Sequence, residues 1–108
     1  MSHQTISAEQ VYERLTASDS AQHPTIVDVR EPDEWAEGHI EGATHIPLGT
    51  LPTRLQDLPK DQDIILVCHM GGRSERATVF LEKAGYTNAI NMTGGMDAWE
   101  GHHLPIVK

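Results

Sequence analysis

Short runs of aliphatic and β-branched residues alternate along this chain with segments whose apolar residues recur at helical spacing. Runs of this length and composition predict buried strands, and they lie at residues 25–29, 44–46, 63–68 and 89–92. The run at 63–68 is the most apolar in the sequence. It therefore predicts the central strand of a sheet that is covered on both faces.

Residues that start or stop helices delimit the segments between these strands. Ser7 and Gln10 form a capping box ahead of an apolar helical face. Pro32 and Gly38 bracket a short helix, since proline is tolerated in a first turn and glycine is common after a last one. Further helices are predicted at residues 51–55, 74–84 and 96–99.

The alternation of strand and helix predicts an α/β fold with mainly parallel strands and helices on both faces. The 108 residues provide one core, so a single domain is expected over residues 1–108. In such sheets, functional sites form where the central strands end. Cys68 ends the most apolar strand, which makes it the first candidate for chemistry.

Charge and composition exclude several classes of function. Sixteen acidic residues against eight basic ones give a formal net charge of −8, which disfavours binding to nucleic acid. No apolar run approaches the roughly 18 residues of a membrane span, so no membrane partner is expected. Residues 1–6 lack the basic and apolar segments of a secretory signal. We therefore expect a cytoplasmic protein.

Neither the cysteine nor the histidines predict a metal site. Cys68 is the only cysteine, and the seven histidines are irregularly spaced, whereas a structural zinc site needs several ligands at regular intervals. No metal and no cofactor is expected. A lone cysteine is most often a small buried apolar residue, so its surroundings must decide whether it reacts.

The loop that follows Cys68 predicts a reactive thiolate. Two glycines, Gly71 and Gly72, permit the backbone to turn several N–H groups inward as an anion-binding nest. The helix from Ser74 directs its positive end at the same place, and Arg73 adds a permanent charge. The backbone from His69 through Met70 to Ser74 is thus expected to lower the pKa of Cys68.

Such a loop could hold the extra sulfur of a persulfide, formed by attack on an anionic donor such as thiosulfate. Arg73 would steady the leaving charge. Cysteine phosphatases and arsenate reductases use a related loop with one more residue between cysteine and arginine. Here four residues separate Cys68 from Arg73, and the smaller ring favours sulfur over a tetrahedral oxyanion.

The sequence resembles the rhodanese family, and in particular its single-domain members. Cys68, Gly71 and Arg73 match the family's C-x-x-G-x-R loop; residues 28–31 with 35, residues 38–43 with 46–47, and residues 94–95 with 99 resemble its other signatures. The resemblance implies a five-stranded, mainly parallel sheet and a thiosulfate sulfurtransferase with a persulfide on Cys68. A departure is Thr44-His45, where the family often has asparagine, and it is not expected to affect the chemistry.

Three residues outside the loop are further candidates for substrate binding. Arg30 could attract the anionic donor, Asp28 could orient loop groups, and Trp35 could overhang the pocket. The alternatives are a structural ion pair for Asp28 and Arg30 and a core position for Trp35. The expected partners are a small anionic sulfur donor and a thiol or cyanide acceptor. An acceptor protein, served by a persulfide relay rather than by rapid turnover, is the competing hypothesis.

Overall fold

Five strands and four α-helices alternate along the computed structural model, which describes residues 4–19 and 23–108. The strands are β1 (Thr5–Ile6), β2 (Thr25–Asp28), β3 (Thr44–His45), β4 (Ile64–Val67) and β5 (Ala89–Met92). The helices are α1 (Ala8–Leu15), α2 (Pro32–Glu37), α3 (Gly72–Lys83) and α4 (Gly95–Gly101). Two 3₁₀ helices, Leu48–Thr53 and Leu55–Asp57, connect β3 to β4.

The strands form one parallel sheet in the order β1-β5-β4-β2-β3. Strand β4 lies at its centre, and all four of its residues are buried, which confirms the predicted central strand. Because every strand runs in the same direction, the segments that follow β2, β4 and β5 meet at one edge of the sheet. This edge carries the Cys68 loop.

Alternating side chains of the central strands supply two separate cores, one on each face of the sheet. Ile64 and Leu66 face a core completed by α3 and the first 3₁₀ helix. Ile65 and Val67 face a second core completed by α1 and α4, in which Trp99 is almost fully buried. Helices therefore cover both faces, and the predicted α/β class with a five-stranded parallel sheet is confirmed.

Local signals in the sequence set the helix ends. In the capping box of α1, Ser7 Oγ accepts from the Gln10 N–H at 3.1 Å, and Gln10 Oε1 accepts from the Ser7 N–H at 3.0 Å. Helix α2 begins at Pro32 and is followed by Gly38, as predicted. No helix within the described residues is long and apolar enough to cross a membrane.

Besides shifts of one or two residues at the ends of α4 and of several strands, three elements differ from the prediction. Strand β1 was not predicted, since its two residues are too few to show a period; pairing with β5 defines it. The helix predicted at 51–55 is a pair of 3₁₀ turns, because Pro52 removes a backbone donor. Helix α3 begins at Gly72, two residues before the predicted start at Ser74. The glycine loop is thus shorter, and the helix lies closer to Cys68.

Candidate active site

Cys68 directly follows β4 and lies at the base of a shallow depression of 500 Å³. The residue is 1% exposed. The depression is also lined by Glu34 of α2, the loop residues His69 and Met70, and the α3 residues Gly72, Arg73 and Arg76. The rim is open to solvent, since His69 and Gly72 are exposed and Met70 is 70% exposed. Cys68 is thus a buried residue that borders an open depression.

Hydrogen-bond donors surround the sulfur of Cys68. The Gly71 N–H donates to Sγ at 3.0 Å, and Ser74 Oγ lies 3.3 Å from Sγ. Burial by itself raises the pKa of the Cys68 thiol, but hydrogen bonds from the Ser74 side chain and from the N–H groups of Ser74, Gly71 and Met70 outweigh it. The pKa of Cys68 therefore lies below its ordinary value, and a larger share of the thiol is ionised near neutral pH.

Two glycines fix the shape of the loop. Gly71 has a φ of 110°, in the left-handed region, and this turns its N–H toward Sγ. Gly95 has a φ of 55° and lies against the loop so closely that a Cβ there would be 2.3 Å from the Cys68 carbonyl oxygen. The first turn of α4 also donates to the loop, from the Met96 N–H to Cys68 O at 2.8 Å and from the Asp97 N–H to His69 O at 2.9 Å.

The hydrogen bonds from the first turn of α4 to the Cys68 loop were not predicted from the sequence. The Gly94-Gly95 pair was the available signal, but it was interpreted as a helix start and as part of a family signature, not as a contact with the loop. Adjacent glycines before a helix also permit close approach of another backbone, and here that backbone is the Cys68 loop.

Arg73 lies on the rim and forms an ion pair with Glu34. Its Nη1 and Nη2 donate to the two Glu34 carboxylate oxygens at 2.7 and 2.8 Å. This bidentate contact lowers the pKa of Glu34 to about 2 and raises that of Arg73. The Arg73 charge is therefore balanced by a carboxylate within the same depression. Sequence reasoning missed Glu34, whose visible role was in the first turn of α2, where it accepts from the Glu31 N–H.

Asp28 and Arg30 form a buried ion pair with each other. Arg30 Nη2 donates to Asp28 Oδ2 at 2.8 Å and to the Gly38 carbonyl oxygen at 2.8 Å. The two residues are 1% and 4% exposed. Arg30 lines a second depression that shares Glu34 and His69 with the first. The pair joins β2 to the end of α2, and a role of either residue in substrate binding remains a prediction.

Trp35 lies beside two histidines, outside the set of residues that line the Cys68 depression. Its ring stacks on His39 with centroids 3.5 Å apart and on His45 with centroids 4.7 Å apart. Both imidazoles bond to backbone carbonyls, His39 to Trp35 O and His45 to Arg30 O. This stack braces α2 against β3. The suggested contact of Trp35 with substrate remains a prediction.

Ser74 and Asn91 form a polar contact next to the Cys68 loop. Of the two residues, only Ser74 was predicted to belong to the site. Ser74 is fully buried, and its Oγ donates to Asn91 Oδ1 at 2.5 Å. Asn91 lies in β5 and is 5% exposed. Its only signal in the sequence was a polar residue within a strand predicted to be buried.

Comparison with known proteins agrees with this arrangement. A family model described as "Rhodanese-like domain" matches residues 7–102. A protein of Allochromatium vinosum named "Sulfurtransferase" is 37% identical over 102 residues, which are 94% of this chain and 92% of that protein. The "Putative sulfur carrier protein YrkF" of Bacillus subtilis is 41% identical over 83 residues, covering 77% of this chain and 45% of that protein.

Solved structures share the fold. The crystal structure of a rhodanese-related protein from Thermoplasma volcanium superposes with a TM-score of 0.86 and 31% identity, covering 97% of this chain and 98% of that one. The fold, the extent of the family match and the relatives all confirm the resemblance seen in the sequence. Its relatives include sulfurtransferases, which supports the assignment of this chain as an enzyme of sulfur transfer. The chain belongs to the rhodanese-like domain family.

Proposed function

We propose that this protein is a thiosulfate sulfurtransferase, which moves sulfane sulfur from thiosulfate, or a similar small anionic donor, to a thiol or cyanide. The observation that carries the proposal is the setting of Cys68. Its sulfur accepts from the Gly71 N–H at 3.0 Å at the floor of an open depression. Hydrogen bonding lowers the pKa of Cys68 despite its burial. A thiolate so placed can act as a nucleophile toward a donor in that depression.

The proposed reaction has two displacement steps. The Cys68 thiolate attacks the outer sulfur of thiosulfate, a new S–S bond forms, and sulfite leaves with the electron pair of the broken S–S bond. The product is a Cys68 persulfide, whose terminal sulfur carries the negative charge. The acceptor then attacks that terminal sulfur, and Cys68 leaves as a thiolate; with cyanide the product is thiocyanate. Neither step requires a proton transfer when Cys68 reacts as a thiolate and the acceptor as cyanide anion or thiolate; a neutral thiol acceptor first loses its proton to solvent.

The loop residues have distinct proposed roles. N–H groups of residues 69–74, together with the first turn of α3, stabilise the negative sulfur before and after attack. Arg73 stabilises the leaving sulfite, for which it must exchange its contact with Glu34. Arg30, Asp28 and Trp35 remain proposed contributors to donor binding. We also propose a cytoplasmic location, since a reducing compartment keeps a free nucleophilic thiol from oxidation.

A persulfide relay to an acceptor protein is a second candidate, and the rim of the depression favours it. Met70 is 70% exposed and lies directly beside the opening above Cys68. A flexible apolar side chain is well suited to contact with a partner protein. A relay would load sulfur readily but transfer it slowly to cyanide, whereas a thiosulfate:cyanide sulfurtransferase would complete the cycle.

Intact-protein mass spectrometry tests both candidates. Thiosulfate treatment is expected to add one sulfur atom to the protein, and cyanide to remove it with one equivalent of thiocyanate. Cys68→Ser is the control, and it is expected to gain nothing while remaining folded. Loading without release to cyanide would support the relay. Sulfur gained by Cys68→Ser, or no gain by the native protein from thiosulfate, mercaptopyruvate or an organic persulfide, would contradict the proposal.

A further inference from the structure

The Ser74 hydroxyl has one hydrogen to donate and three acceptors within reach. Its Oγ lies 2.5 Å from Asn91 Oδ1, 3.1 Å from the Gly71 carbonyl oxygen and 3.3 Å from Cys68 Sγ. The shortest contact takes the hydrogen, since a distance of 2.5 Å is at the short limit for an O–H···O bond. Ser74 therefore donates to Asn91 while Cys68 is a neutral thiol, and a lone pair of its Oγ is then available to the S–H group. The bond from Ser74 that lowers the pKa of Cys68 forms only when the sulfur is ionised.

Asn91 has no structural need for an amide. It lies in β5 between Ile90 and Met92, and all four residues of that strand are buried. Its backbone N–H already donates to Gln4 O at 2.9 Å in pairing with the edge of the sheet. Burying a polar side chain costs free energy unless it is hydrogen-bonded. An apolar residue would suit this strand better, so the Asn91 amide is explained by its contact with Ser74.

We infer that Asn91 is a positioning residue for sulfur transfer, which holds the Ser74 hydroxyl hydrogen away from Cys68. A neutral Cys68 thiol can then donate its S–H to Ser74 Oγ, in a chain that ends at Asn91 Oδ1. A Cys68 thiolate receives the Ser74 hydrogen only if Ser74 gives up its bond to Asn91. The inference rests on the proposed function in one respect, that Cys68 is the nucleophile.

This arrangement would keep the thiolate reactive. A thiolate that is strongly stabilised by donors is less nucleophilic, because nucleophilicity falls as the pKa of the thiol falls. The Gly71 N–H is a fixed donor to Sγ, whereas Sγ and Asn91 Oδ1 compete for the Ser74 hydrogen. After attack, Sγ is bonded to a second sulfur and no longer competes for that hydrogen, which stays on the bond from Ser74 to Asn91. Asn91 thus favours the thiol and the persulfide over the resting thiolate.

The charged groups around Cys68 do not change when Asn91 or Ser74 is replaced. Glu34, His69, Arg73 and Arg76 line the depression above the sulfur, and the adjoining depression adds Arg30, Glu37, Asp97 and Glu100. Asn91 and Ser74 carry no charge, and both are buried. Replacing them therefore changes the hydrogen bonding of Cys68 without changing the net charge of the site.

The test is the pH dependence of Cys68 alkylation by iodoacetamide in Asn91→Ala, Ser74→Ala and the double variant. Asn91→Ala is expected to lower the apparent pKa of Cys68 by about one unit, since a hydrogen bond to a charged group is released to the thiolate. Its limiting alkylation rate at high pH is expected to fall. Ser74→Ala has no hydroxyl hydrogen to release, so the double variant should show the same apparent pKa as Ser74→Ala.

Asn91→Leu, with similar volume, repeats the measurement if the alanine variant does not fold. Asn88→Ala is the matched control, since Asn88 directly precedes β5 but its side-chain amide donates to Gln62 O and makes no bond to Ser74 or Cys68. A folded Asn91 variant with an unchanged or raised pKa would overturn the inference, as would a double variant that follows Asn91→Ala. Alkylation requires no sulfur donor, so failure to load sulfur would contradict the proposed function alone.

Discussion

Glu34 and Arg73 neutralise each other at the rim of the Cys68 depression. Both bonds of the pair are short, at 2.7 and 2.8 Å, and they join α2 to the first turn of α3. An arginine close to a reactive cysteine would ordinarily attract anions to it. Here the attraction is offset by a carboxylate that is ionised down to a pH of about 2. Glu34 therefore limits how strongly the site draws in an anionic donor.

Glu34→Gln is expected to accelerate persulfide formation from thiosulfate. The substitution releases the Arg73 guanidinium and removes a negative charge from the depression, so the second-order rate should rise roughly three- to tenfold at low ionic strength. The gain should shrink at high salt, because screening weakens attraction between charges. Stopped-flow or quenched mass spectrometry of sulfur loading measures both effects.

Glu37→Gln is the control for this charge effect. Glu37 lies on the same helix and lines the adjoining depression, but it is outside the Cys68 depression. Equal acceleration by the two variants would mean that only the net charge of the region matters. An unchanged rate in Glu34→Gln would show that Arg73 does not act on the donor.

The same ion pair is expected to make stability depend on pH in the acid range. The pKa of Glu34 falls from 4.5 to about 2 on folding, so the folded state binds fewer protons than the unfolded state between these values. The contribution is therefore complete above pH 4.5 and is lost as the pH falls through about 2. Because the pair is partly exposed, we expect its contribution to be on the order of 1 kcal/mol.

Urea unfolding of the native protein and Glu34→Gln between pH 2 and 7 measures this contribution. The difference in unfolding free energy should be largest near neutral pH and should approach zero near pH 2. A difference that stays constant over the whole range would mean that the Glu34 carboxylate does not stabilise the fold by its charge.

The sequence was sufficient where the signal was local or periodic. The strand that precedes Cys68, the capping box of α1 and the proline start of α2 each depend on a few neighbouring residues. The spacing of Cys68, Gly71 and Arg73 gave the family. These features could be predicted because neither hydrophobic period nor turn chemistry requires knowledge of distant residues.

Contacts between distant segments could not be predicted in this way. Glu34 pairs with Arg73 across 39 positions, and Asn91 bonds to Ser74 across 17. Each residue also had a simpler local interpretation, Glu34 as a first-turn acid and Asn91 as one residue of a buried strand. Strand β1 is defined by its partner alone. The order of strands in the sheet brings these groups together, and that order is not encoded in any short segment.

Arg30→Ala is expected to destabilise the fold strongly. Asp28 would be left buried, with a charge and no cationic partner, and losing one member of a buried pair costs about 3–5 kcal/mol. The double variant Asp28→Ala/Arg30→Ala should be more stable than Arg30→Ala, because it also removes the buried Asp28 carboxylate that has lost its cationic partner. Thermal or urea unfolding measures this order.

Steady-state kinetics on the folded fraction separate this structural role from substrate binding. If Arg30 attracts the donor, Arg30→Ala raises KM for thiosulfate with little change in kcat. An unchanged KM, together with the loss of stability, would restrict Arg30 to the ion pair with Asp28.

Gly95→Ala is expected to disturb the Cys68 loop where α4 packs against its backbone. The added Cβ would lie 2.3 Å from the Cys68 carbonyl oxygen and 2.6 Å from the His69 carbonyl carbon, both rigid backbone atoms. Overpacking and the left-handed φ of 55° should together cost about 2–3 kcal/mol. Because the displaced atoms belong to the loop that holds the sulfur, persulfide formation should slow as well.

Gly101→Ala is the matched control in the same helix, since a Cβ at Gly101 meets no atom within 4 Å. It should leave sulfur loading unchanged and should slightly raise the free energy of unfolding, because alanine favours a helix over glycine. Chemical denaturation and the rate of sulfur loading compare the two variants. If Gly95→Ala loaded sulfur at the native rate, the close approach of α4 would have no part in shaping the loop, and the Gly71 turn alone would hold the sulfur in place.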